Sequence, residues 1–463
     1  MATLTTRTAR ALVAVIGAAL VAAVAIGATL IALDAAAPRH PGPNVILIVI
    51  DTLRADHLGC YGYPVATSPE VDRFAEDAVL FETTIAQAPS TEPSHASIFT
   101  SLLPSHHGAY FSTKTPLHDD HITMAELLSQ RGYVTKSFND GAQVQAKWGF
   151  DQGFDEYTTL PGPPTEYTFR RTVDHAVDWL ESHRDERFFL FLHTYEPHHP
   201  YTPEPRFYDA IGHENRSALP DGISKQLLEA LNRRFHSLNS ADRDHVIAAY
   251  DAEVRSMDLA FATLVAELER LELYDGALIV FTSDHGEELG ERDRMGWHSH
   301  ALFDEQLLVP LIVRLPGGAQ HGRRVSTQVR LIDILPTVLE VLGIPSLEVF
   351  EGRTLMPLAL GQPGVHRPAV SQRDVRSPRG PTSLRTGKWK WYERTQLRRQ
   401  LLFDLEQDPG EHSDLARQQP QRMRSLMQQL EELLASRPDG RYRGEIEIDD
   451  ELRQRLEELG YLK

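Results

Sequence analysis

The chain predicts an α/β fold, with a mostly parallel sheet between helices, on three observations. Apolar runs at 45–50, 188–192, 277–282 and 308–313 are hydrophobic on both faces, as strands inside a covered sheet must be. Helical stretches alternate with them. Two of the runs lead into carboxylates, Asp51 and then Asp284-His285, and open sheets of this kind gather their sites beyond the strands' carboxyl ends.

From the N-terminus, Arg7 and Arg10 precede 23 residues without a charge, Ala11 to Leu33. That run is long enough to cross a bilayer, and the basic flank predicts a cytoplasmic N-terminus with the remainder of the chain outside. The alternative is a cleaved secretory signal, since Asp34-Ala35-Ala36-Ala37 offers small residues to a peptidase. A Pro-rich spacer follows, so residues 1–40 are expected to be anchor and linker, 41–365 the catalytic domain and 366–463 a smaller α+β unit with its tail.

Within the catalytic part, helices are expected near 68–77, 122–130, 172–182 and 242–271. The last carries Ile247, Tyr250, Val254, Met257, Phe261, Leu264, Leu268 and Leu271, whose steps of three and four line one helix face. Residues 202–241, rich in Pro, Arg, Asn and Ser, read as a lid or specificity loop. Beyond 365, residues 371–380 are turn-rich. Short strands are expected at 384–393 and 400–405, then a helix at 419–435.

A formal net charge of −18 argues against a nucleic-acid-binding surface. The lone cysteine, Cys60, cannot form an intramolecular disulfide and reads as a small buried apolar residue.

The chemistry concentrates in separated stretches. Asp51 ends a strand that should bury nothing charged, which favours metal ligation over a turn cap. Asp284 and His285 end a second such strand. Thr91, in Thr91-Glu92-Pro93-Ser94-His95, offers a hydroxyl at an apparent helix start. It reads either as an N-cap or as a nucleophile, and Ser94 is the rival nucleophile. His193, His198 and His199 cluster beside prolines, and His298 and His300 flank Ser299. A carboxylate, an Asp-His pair and a hydroxyl can together hold one divalent ion and an activated oxygen. The imidazole moves the preference from calcium toward zinc or manganese, with calcium or magnesium as alternatives.

With those stretches in view, the chain resembles the sulfatase family of the alkaline phosphatase superfamily, from about residue 43 onward. Asn44 to His57 resembles the first metal-ligand strand. Thr91-Glu92-Pro93-Ser94-His95-Ala96-Ser97-Ile98-Phe99-Thr100 is similar to the signature C/S-x-P-S-R-x-x-x-x-T-G. Pro197-His198-His199-Pro200-Tyr201 is similar to Pro-His-x-Pro-Tyr, and Ser283 to Glu287 to the second metal-ligand strand end. His300 to Glu305 resembles a substrate-contact region, and Leu402-Phe403-Asp404-Leu405 with Asp408-Pro409-Gly410-Glu411 the C-terminal strand and turn.

The resemblance implies an alkaline phosphatase-like fold and a metal held by Asp51, Thr91, Asp284 and His285. It implies Thr91, His198 and His300 as catalytic residues, with His95, His193 and His298 facing an anionic sulfate or phosphate ester. The chain also departs from the family's pattern. Threonine replaces the Cys or Ser that sulfatases oxidise to formylglycine, His95 replaces the signature Arg, and Ser101 its closing Gly. Thr52 replaces the second Asp of the first strand end, and Phe138-Asn139-Asp140 stands where Gly-Lys-Trp-His is absent.

Threonine at that position is the pattern of related membrane-anchored phosphoethanolamine and glycerolphosphate transferases. The expected reaction is therefore attack of Thr91 on an ester centre, phosphorus preferred over sulfur, with His198 or His300 protonating the departing oxygen. Transfer to an acceptor alcohol and an inactive binding module remain as alternative readings.

Overall fold

In the computed structural model, described residues are 42–110, 114–162, 168–373, 381–394, 399–435, 454 and 457. The expected anchor at 11–33 and nearly all of the acidic C-terminal tail lie outside them. Among the described residues, no helix is long and apolar enough to cross a membrane.

Strands β1 (Val45–Ile50), β2 (Val79–Ile85), β3 (Val134–Asn139), β4 (Glu156–Thr159), β5 (Phe188–Thr194) and β6 (Leu278–Ser283) belong to the main sheet. A small ribbon, β7 (Glu288–Leu289) with β8 (Met295–Trp297), comes next, and β9 (Leu308–Arg314), β10 (Arg323–Val325) and β11 (Val329–Arg330) return to the main sheet. Its order is β10-β2-β9-β6-β1-β5-β3-β4, with β11 also on β2.

β1 lies at the centre and shows why both faces had to be apolar. Val45, Leu47 and Val49 enter one core, and Ile46, Ile48 and Ile50 enter the other. The Ser240–Arg270 helix covers the second face with Tyr250, Val254, Met257, Phe261, Leu264 and Leu268, as the periodicity requires. The sheet is mixed, because β9 runs antiparallel to both β2 and β6. The chain leaves β6 and returns as β9 with only the ribbon and the short Asp304–Leu307 helix between them. Without a full crossover helix the return must be antiparallel.

The C-terminal part holds a second sheet, antiparallel in the order β12 (Ala369–Gln372), β13 (Thr382–Thr386), β14 (Trp389–Arg394) and β15 (Arg399–Asp404). The Pro420–Leu434 helix covers it through Met423, Leu426 and Leu430 against Leu384, Trp391 and Leu402. The single strand expected at 384–393 is in fact two, split by a turn in which Gly387 takes φ 61°. Residues 202–241 are not one loop but carry helices at Pro205–Ala210 and Lys225–Arg233. Cys60 is half-buried, and burial pushes its thiol well above the ordinary range.

Candidate active site

The carboxyl ends of β1, β5 and β6 lie side by side, with Ile50 opposite Thr194 and Ser283 in register. Asp51, Asp284 and His285 therefore meet as soon as the strands pair. A network beneath fixes this edge: the Leu53 amide donates to Ser283 Oγ at 3.1 Å, and the Tyr250 hydroxyl donates to the Thr52 carbonyl at 2.9 Å. Thr52, where a second Asp was expected, adopts φ 55°, strained for a β-branched residue. Its amide points at Asp284 Oδ1, 3.3 Å away.

Thr91 opens the Thr91–Thr100 helix, and all ten of its residues are buried. Ser90, not Thr91, occupies the N-cap position, so the capping expectation for Thr91 does not hold. The Thr91 hydroxyl donates instead to Asp51 Oδ2 at 3.0 Å and lies 3.4 Å from His285 Nε2. Ser94, the rival nucleophile, donates to the Asp284 carbonyl at 2.6 Å. Where the signature closes with Gly, Ser101 takes φ 56°, and its side chain holds the turn by donating to the Ile332 carbonyl.

Asp51, Asp284 and His285 each offer a ligand atom within 4.8 Å of the others. Asp51 Oδ1 and Asp284 Oδ2 are fully buried without a hydrogen-bond partner, which native proteins rarely tolerate. The His285 Nδ1–H donates to the Gly286 carbonyl at 2.9 Å, so the ring's lone pair sits on Nε2, facing Thr91. Burial pushes Asp51 up to about 6, although His285 and Thr91 pull the other way. Asp284 is raised by burial and then by Asp51. Two buried acids with unmet oxygens, one imidazole lone pair and a hydroxyl fit a divalent cation.

The other predicted residues divide. His95 donates from Nδ1 to the Thr91 carbonyl at 2.8 Å and packs against His193, ring centroids 5.0 Å apart. His193, on β5, brings Nε2 to 3.8 Å from Asp51 Oδ2. Burial lowers His95 to about 3 and His193 to about 4, so both are neutral near pH 7. The position of the signature arginine thus carries no positive charge.

His198 and His298 approach each other at 4.9 Å between centroids, and His298 lies 4.8 Å from His285. Burial holds both well below the ordinary histidine range. His198 has its Nδ1–H directed at the His199 carbonyl 2.5 Å away. His300 has Nδ1 at 3.1 Å from the His298 carbonyl and Nε2 at 3.0 Å from Glu288.

Sequence reasoning missed Asp140, Gln143 and Glu288. Asp140 accepts from the Tyr195 amide and Arg171, each at 3.1 Å, and burial raises it to about 6. It follows β3 as Asp51 follows β1, so the strand-end argument could have found it. Gln143 Oε1 accepts from the Glu92 amide at 3.2 Å, a contact with no sequence signal.

Comparison with known proteins bears directly on this arrangement. A family model described as Sulfatase matches residues 43–344. A second, described as N-sulphoglucosamine sulphohydrolase, C-terminal, matches 293–438. A relative from Formosa agariphila, the Ulvan-active sulfatase, is 26% identical over 81% of this chain and 77% of its own. Among solved structures, the phosphonate monoester hydrolase of Agrobacterium radiobacter superposes with a TM-score of 0.69 at 23% identity, covering 86% of this chain and 96% of that one. Another, solved in complex with its substrate D-glucosamine-2-N,6-O-disulfate, gives 0.71 at 20% identity over 87% and 100%.

Proposed function

The chain belongs to the sulfatase family and is an ester hydrolase of that family, and from this premise we propose that it cleaves a phosphate-type ester through Thr91 as nucleophile. The observation that carries the reading is the Thr91 hydroxyl donating to Asp51 among acids whose remaining oxygens are unmet. A divalent ion, zinc or manganese by its mixed imidazole and carboxylate donors, supplies Lewis-acid polarisation and lowers the pKa of a coordinated hydroxyl. Asp51, Asp284 and His285 are the protein groups that would hold it. Asp51 also orients the Thr91 proton and is placed to accept it. Thr91 Oγ then attacks, the ester oxygen departs, and water or an acceptor alcohol resolves the threonyl ester.

Phosphorus is preferred on chemical grounds. A formylglycine hydrate expels sulfate by collapsing to an aldehyde, and threonine has no such route. A threonyl sulfate would need a second displacement at sulfur. The phosphonate monoester hydrolase among the structural neighbours accords with this choice. Sulfate ester hydrolysis is the second reading, favoured by the ulvan-active relative and the disulfate complex. The proposal extends to location: residues 11–33 anchor the chain and the catalytic part faces outward. A panel of aryl sulfate, phosphomonoester, phosphodiester and phosphonate ester substrates, with zinc, manganese or calcium added, tests the reading. Turnover of phosphorus esters abolished by Thr91→Ala is expected. Aryl sulfate turnover alone would return the chain to sulfate chemistry.

A further inference from the structure

Beside the Asp51–Asp284–His285 group stands a second cluster built only of imidazoles. We infer that His198, His199 and His298 form a separate divalent-metal site of zinc type. One ring nitrogen of each lies within 4.8 Å of the others, and the three residues are only 5%, 3% and 7% exposed. They come from two segments, the loop after β5 and the turn after β8, so the cluster is not an accident of sequence adjacency.

One of the rings is also oriented from behind. The His198 Nδ1–H is directed at the His199 carbonyl, which leaves the lone pair on Nε2. Glu287 Oε2 stands 3.8 Å from His298 Nδ1, and Glu287 is itself anchored by the Tyr201 hydroxyl at 2.6 Å. The 3.8 Å spacing is an approach and not a hydrogen bond. Trp297 stacks on His199 with planes 9° apart. Three nitrogen donors with no carboxylate among them select zinc over calcium or magnesium and leave a fourth position for an oxygen ligand.

The role of this second ion rests on the ester-cleavage reading above, but its existence does not. Ester cleavage builds negative charge on the departing oxygen. An ion at the imidazole trio would take the negative charge that builds on that oxygen, as the partner ion does in paired-metal sites. The 4.8 Å separation of the His285 and His298 rings makes the two sites neighbours.

Zinc binding to the metal-free, full-length protein tests this without an activity readout. Wild type, loaded and exhaustively dialysed, should retain two equivalents by elemental analysis. Asp284→Ala and His199→Ala should each retain one, and X-ray absorption of the ion left in Asp284→Ala should show an imidazole shell. His298→Gln serves as a second variant should His199→Ala misfold. His118→Ala controls for the exposed His118-Asp119-Asp120 group and should still retain two. One equivalent in wild type, or two in both folded His199→Ala and His298→Gln, would overturn the site. Ester turnover without a second ion would overturn only the trio. A second ion without ester turnover would overturn only the function proposed for Thr91.

Discussion

Two buried charge clusters in this molecule are built on opposite principles. At the main sheet's edge, Asp51 and Asp284 lie together with oxygens that no protein group satisfies, and burial raises both. Between the main sheet and the C-terminal sheet, Asp304 meets Lys390 Nζ at 2.7 Å and Arg385 Nε at 3.0 Å, while Lys390 reaches Glu411 at 2.8 Å. Burial would raise Asp304 too, but Arg385 and then Lys390 hold it at about 2. The second cluster neutralises itself and fastens two sheets together. The first leaves carboxylate oxygens unmet, as an empty cation site does, so we read it as function and the other as stability.

The largest way to break that contrast is at Thr91. Thr91→Ala should retain the fold and most of the bound metal yet lose about 10⁴-fold or more in kcat/KM, as when a covalent nucleophile is removed. Thr91→Ser should keep part of the activity. Full activity in Thr91→Ala would mean that the first cluster is not a nucleophile site.

Next in size is the structural cluster. Asp304→Ala leaves Lys390 buried beside one remaining acid and should cost about 3–5 kcal/mol in denaturant unfolding, with metal affinity little changed. A neutral outcome would remove the fastening role.

Smaller, and opposite in sign, is the effect of removing a site acid from the metal-free protein. Asp284→Asn relieves a buried acid pair and should raise the apoprotein's stability by about 1–2 kcal/mol while abolishing the gain that zinc gives wild type. A loss of stability in the apoprotein would show that the acids are internally paired.

The pH dependence separates the clusters most finely. Asp51 titrates near 6 when folded, above its ordinary 3.8, so the folded metal-free protein holds a proton the unfolded chain has released. Its stability should fall as pH rises from about 4 to about 6. Asp304, held at about 2, contributes fully above about 4 and loses that contribution as pH falls toward 2. Asp51→Asn should flatten the upper limb and Asp304→Asn the lower one in pH-resolved unfolding curves. Unchanged limbs would remove either assignment.

Much of the first cluster was legible because it depends on strand ends. Runs apolar on both faces fix β1 and β6 almost to the residue, and Asp51 and Asp284-His285 are their immediate continuations. β3 escaped notice because its sequence, Val-Thr-Lys-Ser-Phe-Asn, is polar at positions that tertiary pairing buries. Lys136 there is buried with Nζ 2.6 Å from Glu156 on the next strand. The direction of β9 was equally hidden, since an apolar run carries no sign of which way it points. The second cluster was illegible for the same reason: Lys390 reads as a solvent-facing residue until Asp304, far away in sequence, closes over it. The ring-nitrogen partners of His198 and His300 are contacts that residue spacing does not encode.

Covalent attachment of Thr91 Oγ to the substrate's phosphorus is the central claim, and intact mass with peptide mapping tests it most directly. Full-length protein quenched during turnover of a phosphorus ester should carry a phosphoryl-type adduct on the peptide containing Thr91, and none in Thr91→Ala. A Thr91 left unmodified during turnover, or an adduct on Ser94 in its place, would contradict it.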